Sequence, residues 1–196
     1  MEPVKIVSGI YSEPVITPDG KWLVAIKPVT EKGETARKLI RRNLQSGEEF
    51  VVTSAQNASS CRLVYVAAHG KVLLEHIGSY TPGGKGESGN ESYLLDPETG
   101  TAQPVKGEFR LLPTRLSRPP QSAGAPNLSW ATIWDWEKKV TRFGRYDSKN
   151  FAFTSLLEIP ELRLSDDDIW VDAAGGKIWF VYKGHLLRLP LPRRTK

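Results

Sequence analysis

The sequence predicts an all-β chain of repeated four-stranded antiparallel units, about four of them, in the pattern of β-propeller blades. Three observations carry this. A strand–turn–strand pattern with a Gly-Lys pair opening its second strand occurs three times, at Gly20-Lys21, Gly70-Lys71 and Gly176-Lys177. A second kind of hairpin, turning at Ser46-Gly47 and at Thr99-Gly100, follows the first two of these units. Gly20 and Gly70 stand 50 residues apart and Gly47 and Gly100 stand 53 apart, so two hairpins fill a period of about 50 residues.

The elements follow in chain order. A strand at Pro14–Thr17 meets the turn Pro18-Asp19-Gly20, where Pro pre-sets φ and Gly accepts a positive one. Lys21–Lys27 is rich in β-formers, and Leu39–Val52 makes the second hairpin. Glu34–Arg42 is the one helix candidate, but the repeat requires a strand there. The second unit repeats the pattern at Arg62–Ile77 and Tyr93–Val105. In the third, Trp130–Phe143 turns near Glu137-Lys138 without glycine, after a Pro/Gly-rich stretch at Arg118–Pro126 read as a loop. The fourth comprises Asp168–Tyr182 and a third strand at His185–Leu191.

Its missing fourth strand could come from Pro3–Ser8, which gives one propeller-like domain over 1–196. The blades are then about 11–54, 55–108, 109–158, and 159–196 with 1–9. A β-sandwich or open barrel also uses short strands at this spacing and remains the alternative; repetition of the same turns in the same order favours blades. Four blades are few for a closed ring. The chain therefore also reads as a segment of a longer protein, or as one half of a homodimer.

The run SEPVITPDGKWLVAI within Ser12–Lys27 resembles the repeat of TolB-like (WD-repeat-like) propellers, in which Ser-Pro-Asp-Gly-Lys precedes an aromatic and apolar strand. Thr17 stands where that family has Ser, and Trp22 holds the aromatic position. Asp96–Gly100 and Gln45–Glu49 resemble the later turn of the same repeat; the second and fourth repeats replace Pro-Asp-Gly with Ala-His-Gly and Gly-Gly. The resemblance implies a protein-binding platform or a gate for a separate catalytic domain, and it brings no catalytic residue with it.

Composition and motif searches narrow the chemistry. The chain has 196 residues, 27 Lys+Arg against 22 Asp+Glu, and a formal net charge of +5. The single cysteine, Cys61, excludes an internal disulfide and a cysteine-rich zinc site, and reads as a buried apolar residue. No apolar run is long enough for a membrane span, and the N-terminus lacks the apolar core of a signal peptide; periplasm and cytoplasm both stay open. Gly86-Glu87-Ser88-Gly89 misses the spacing of a nucleophile elbow, and Gly84-Lys85-Gly86 lacks the hydroxyl residue of a phosphate loop. His69, His76 and His185 form no ligand pair. Asp166–Asp168 offers oxygen ligands for calcium without a binding-loop frame, and reads more simply as a solvated turn. No cofactor or metal is expected.

A basic cluster at Arg37, Lys38, Arg41 and Arg42 invites a nucleic-acid reading, but acidic neighbours and the modest net charge weigh against it. Trp130, Trp134 and Trp136 alternate, which predicts one aromatic face on a strand. That face is either packing between blades or a surface for a peptide or glycan. The expectation is a non-enzymatic scaffold that binds a protein partner. Its binding loops would carry Tyr80, Lys85, Glu87, Asn90, Arg118 and Gln121. The alternatives are a gating domain of a larger hydrolase and a propeller that binds a small molecule or glycan.

Overall fold

Antiparallel strands joined by tight turns account for nearly all regular structure in a computed structural model. It describes residues 11–52, 61–76, 92–112, 121–165 and 168–192. The strands divide into four successive sheets, each an up-and-down meander in chain order. The first holds β1 (Ser12–Ile16), β2 (Trp22–Glu31), β3 (Glu34–Asn43) and β4 (Glu49–Val51). The second holds β5 (Cys61–Val66), β6 (Lys71–His76), β7 (Ser92–Leu95) and β8 (Ala102–Val105). The third holds β9 (Ser122–Ala125), β10 (Leu128–Asp135), β11 (Val140–Asp147) and β12 (Ala152–Pro160). The fourth has three strands among the described residues, β13 (Ile169–Asp172), β14 (Lys177–Tyr182) and β15 (His185–Pro190). Four such meanders in succession are the blade architecture of β-propellers.

Two compact units contain these sheets, Met1–Lys106 and Gly107–Lys196. In the first unit, Val24, Ile26 and Leu39 of one sheet pack with Leu63, Val72, Leu74 and Leu95 of the other. On the opposite face Leu23, Ala25 and Ile40 form a second cluster. Burial of both faces explains why β2 opens with the unbroken run WLVAI rather than with strict alternation. Beyond the Ser12↔Ile26 pair, β2 and β3 continue as a two-stranded ribbon to Glu31↔Glu34. It turns at Lys32 and Gly33, both at positive φ. The Glu34–Arg42 segment is therefore strand, as the repeat requires.

In the second unit the third and fourth sheets share a core of Trp130, Phe143, Ile159, Leu164, Ile178 and Phe180. β11 and β12 approach so closely that a Cβ on Gly144 would lie 2.0 Å from the Thr154 carbonyl oxygen.

One kind of turn recurs in both units. Asn43, Asp96, Asp135 and Asp147 each accept backbone N–H bonds from residues two or three positions on. Four residues after each comes a residue at positive φ: Gly47, Gly100, Lys139 and Phe151.

One expectation needs correction. The stretch Arg118–Pro126 is not a loop throughout. Ser122–Ala125 is β9, because Ala125 and Ser122 pair with Leu128 and Ser129 of β10. The fourth sheet has three strands among the described residues, as expected of the C-terminal stretch, and residues 1–9, expected to complete it, lie outside them.

Candidate functional site

The second unit carries an open groove of about 550 Å³, lined by Trp134, Trp136, Arg110, Arg163, Ser165 and Asp168 among others. That volume falls within the range of about 300–1,000 Å³ usual for ligand sites.

β10 builds one wall. Trp130, Thr132 and Trp134 share one face, opposite Arg145, Phe143 and Thr141 of β11. Trp130 is buried and stacks on Phe143, with ring centres 5.3 Å apart, so it belongs to the core. Trp134 lies at the end of that row. The strand stops at Asp135, whose Oδ1 accepts the backbone N–H of Glu137 at 3.1 Å and of Lys138 at 3.0 Å. The N–H bond from Lys138 foremost, opposed by slight desolvation and reinforced by the bond from Glu137, holds the Asp135 carboxyl below the usual carboxylate range. This turn presents Trp136, which is 68% exposed, edge-to-face against Trp134 at 6.1 Å.

The segment joining β12 to β13 builds the opposite wall. The Thr141 hydroxyl donates to the Leu162 carbonyl and accepts the Leu164 N–H at 3.0 Å, which seats Leu164 in the core. Arg163, between them, lies with its guanidinium carbon 4.7 Å from the Trp136 ring centre. It makes no ion pair among the described residues. Arg110 comes from a single 3-10 turn, Phe109–Leu111, and is paired with Glu108 at 2.8 Å. Asp168 accepts the N–H and hydroxyl of Ser165 at 2.8 and 2.7 Å. The groove thus offers an aromatic pair, one guanidinium with no ion pair among the described residues, and polar atoms along its rim that include the Asp168 carboxylate.

The structure separates the residues singled out in the sequence. Trp130, Trp134 and Trp136 do not make one aromatic surface, because Trp136 lies past the strand end and Trp130 is in the core. Gln121 is not a free loop residue. Its Nε2 donates to the Ile169 carbonyl at 2.7 Å and its Oε1 accepts the Val171 N–H at 2.9 Å, joining the third sheet to β13. Tyr80, Lys85, Glu87, Asn90 and Arg118 lie outside the described residues. Arg163 had no motif to mark it; the fold alone brings it to Trp136.

The basic cluster of the first unit is largely engaged within it. Arg41 lies 4.9 Å from the Trp22 ring centre and 4.5 Å from that of Phe50, and donates to the Pro97 and Glu98 carbonyls. Arg42 pairs with Glu49, and Arg37 donates to Ser12. Cys61 is buried. Asp166 and Asp167 lie outside the described residues, among which no group of three or more His, Cys, Asp or Glu is placed to hold a metal ion. Among the described residues no helix is long and apolar enough to cross a membrane.

No family model matches the chain. No curated protein matches it in sequence. Among solved structures it is similar to TolB from Acinetobacter baumannii, at 15% identity and a TM-score of 0.41, over 93% of this chain and 41% of that one. It is similar to dipeptidyl peptidase 4 of Porphyromonas gingivalis at 12% identity and a TM-score of 0.41, over 96% of this chain and 32% of that one. A third likeness is to hydrazine synthase of Kuenenia stuttgartiensis, at 15% identity and a TM-score of 0.30, over 89% and 57%. The chain spans less than half the length of the first two. Likenesses this distant say nothing of substrate or partner.

Proposed function

We propose that this chain is a non-enzymatic protein-interaction module of propeller-blade type, and that the Trp134–Trp136 groove takes an extended acidic segment of its partner. The observation that carries this reading is the exposed Trp136 under Arg163, a guanidinium that makes no ion pair among the described residues. An indole of this exposure offers apolar area at small entropic cost, and Arg and Trp are the residues most enriched at binding hot spots. A carboxylate entering the groove would meet Arg163 while its neighbouring side chain lies on the indole face. A glycan would use the indoles but leave the guanidinium without a counter-charge, which favours the peptide.

Ser165 supports the non-enzymatic part of the reading. Its hydroxyl and its N–H are both committed to Asp168 three residues on, which is turn geometry and not a nucleophile poised beside a base.

The test is fluorescence anisotropy with acetylated pentapeptides carrying Glu at alternate positions, against the same peptides carrying Gln. Preference for Glu, lost in Trp136→Ala and in Arg163→Gln, supports the proposal. Equal binding of both sets, or binding indifferent to both substitutions, overturns it.

A further inference from the structure

The fourth sheet ends on β15, and the register of that strand fixes which of its backbone groups are unpaired. The β14–β15 hairpin turns at Lys183 and Gly184, both at positive φ, in a two-residue loop closed by Tyr182↔His185. That closing pair exchanges hydrogen bonds, and pairs then alternate along the ladder. Leu186, Arg188 and Pro190 therefore fall at the non-bonded positions opposite Val181, Trp179 and Lys177. The N–H and C=O of Leu186 and Arg188 face away from β14. Pro190 has no N–H to lose at the third such position, which is where proline is tolerated on a strand edge. No further strand of the described residues pairs with this edge.

The side chains around the edge say what would fit it. Leu186 and Val181, cross-strand neighbours on the outer face, are 64% and 43% exposed. Arg188 lies on the same face, 5.8 Å from the Trp179 ring centre. After Asp172 the sequence has no acidic residue, while Lys177, Lys183, Arg188, Arg193, Arg194 and Lys196 all follow it. A second copy pairing through its own β15 would set this wholly basic stretch against an identical one, which disfavours that occupant.

We infer that β15 is a docking edge for an acidic β-strand of a partner protein, which adds to the fourth sheet through the backbone of Leu186 and Arg188. In an antiparallel strand the residue opposite Arg188 is acidic. The residue two positions on, opposite Leu186, is apolar, and so is the one between them, which faces the inner side with Leu187. This edge is a second site, separate in its residues from the groove above.

The test uses the whole chain and the peptide Ac-Ser-Val-Glu-Val-Val-Ser-NH2. Its Gln form and a form N-methylated at Glu serve as comparators, followed by amide exchange and chemical shifts. Binding should protect the Leu186 and Arg188 amides, weaken about two- to fivefold with Gln, and fall at least about tenfold on N-methylation. Leu186→Pro removes one donor and should abolish binding. Arg188→Glu keeps the backbone, so it should invert the preference toward a Lys peptide even if the proline variant misfolds. Trp136→Ala should leave this binding unchanged, so failure here and failure of the groove reading are told apart. Equal affinity for the N-methylated peptide, self-association through β15, or tighter binding of a peptide of this chain's own residues 1–10 would each overturn the inference.

Discussion

Arg163 and Trp136 meet across the groove with the guanidinium carbon 4.7 Å from the indole centre, although they come from different connections of the second unit. Two hydrogen-bonded turns hold them there, one closed by Asp135 and one pinned by Thr141. Because Trp136 is 68% exposed, its contribution to folding is small. Trp136→Ala should change unfolding free energy by no more than about 1 kcal/mol while removing peptide binding. Urea denaturation beside a binding titration checks both halves; a loss of several kcal/mol would make the residue structural.

Asp135 should matter to binding through Trp136. Asp135→Ala removes two solvent-exposed hydrogen bonds from the turn that presents Trp136. The expected outcome is weaker peptide binding with the core intact, read from unchanged near-ultraviolet dichroism of the buried Trp130.

Gln121 joins the third sheet to β13 through both ends of its amide. Gln121→Ala leaves the Val171 N–H and the Ile169 carbonyl without their partner and should destabilise the second unit by about 1–3 kcal/mol. Gln121→Glu can still accept from Val171 but sets a carboxylate against a carbonyl, so it should not rescue. Thermal unfolding of the two variants beside wild type measures this.

The recurring turn explains what could be read from the sequence and what could not. Ser46-Gly47 and Thr99-Gly100 announce themselves because glycine occupies the positive-φ position. In the third sheet the same position holds Lys139 and Phe151, so the glycine signal is missing; the Asp four residues earlier was the surviving mark. The alternation of Trp130, Trp134 and Trp136 misled for a related reason, since the side chain of Asp135 ends the strand before the third tryptophan. Local turn chemistry made the hairpins legible. The groove depends on Arg163, which tertiary packing brings to Trp136 and which carries no local pattern.

Lys139 at φ 52° occupies a region that favours glycine. Lys139→Gly should relieve that strain, offset in part by greater freedom of the unfolded chain, for a net gain of up to about 1 kcal/mol. A raised thermal midpoint is expected; a clear fall would show that the Lys139 side chain stabilises more than its backbone costs.

Glu49 makes the first unit sensitive to acid. Partial burial pushes its carboxyl up, but hydrogen bonds from Lys27 and Tyr11 and the charges of Lys27 and Arg42 outweigh this and leave it below its ordinary value of 4.5. A carboxylate lowered on folding contributes stability that is present above its unfolded value and lost as pH falls through its folded one. Unfolding midpoints from pH 7 to 3 should fall more steeply for wild type than for Glu49→Gln, with the gap closing below pH 4.5.

The most direct test of the groove is the indole region of a proton–nitrogen correlation spectrum, where each tryptophan gives one signal, assigned by single substitution. Titration with the Glu-bearing pentapeptide should move the Trp134 and Trp136 signals together and leave Trp130 and Trp22 in place. Shifts confined to other tryptophans, or none at saturating peptide, would contradict the account.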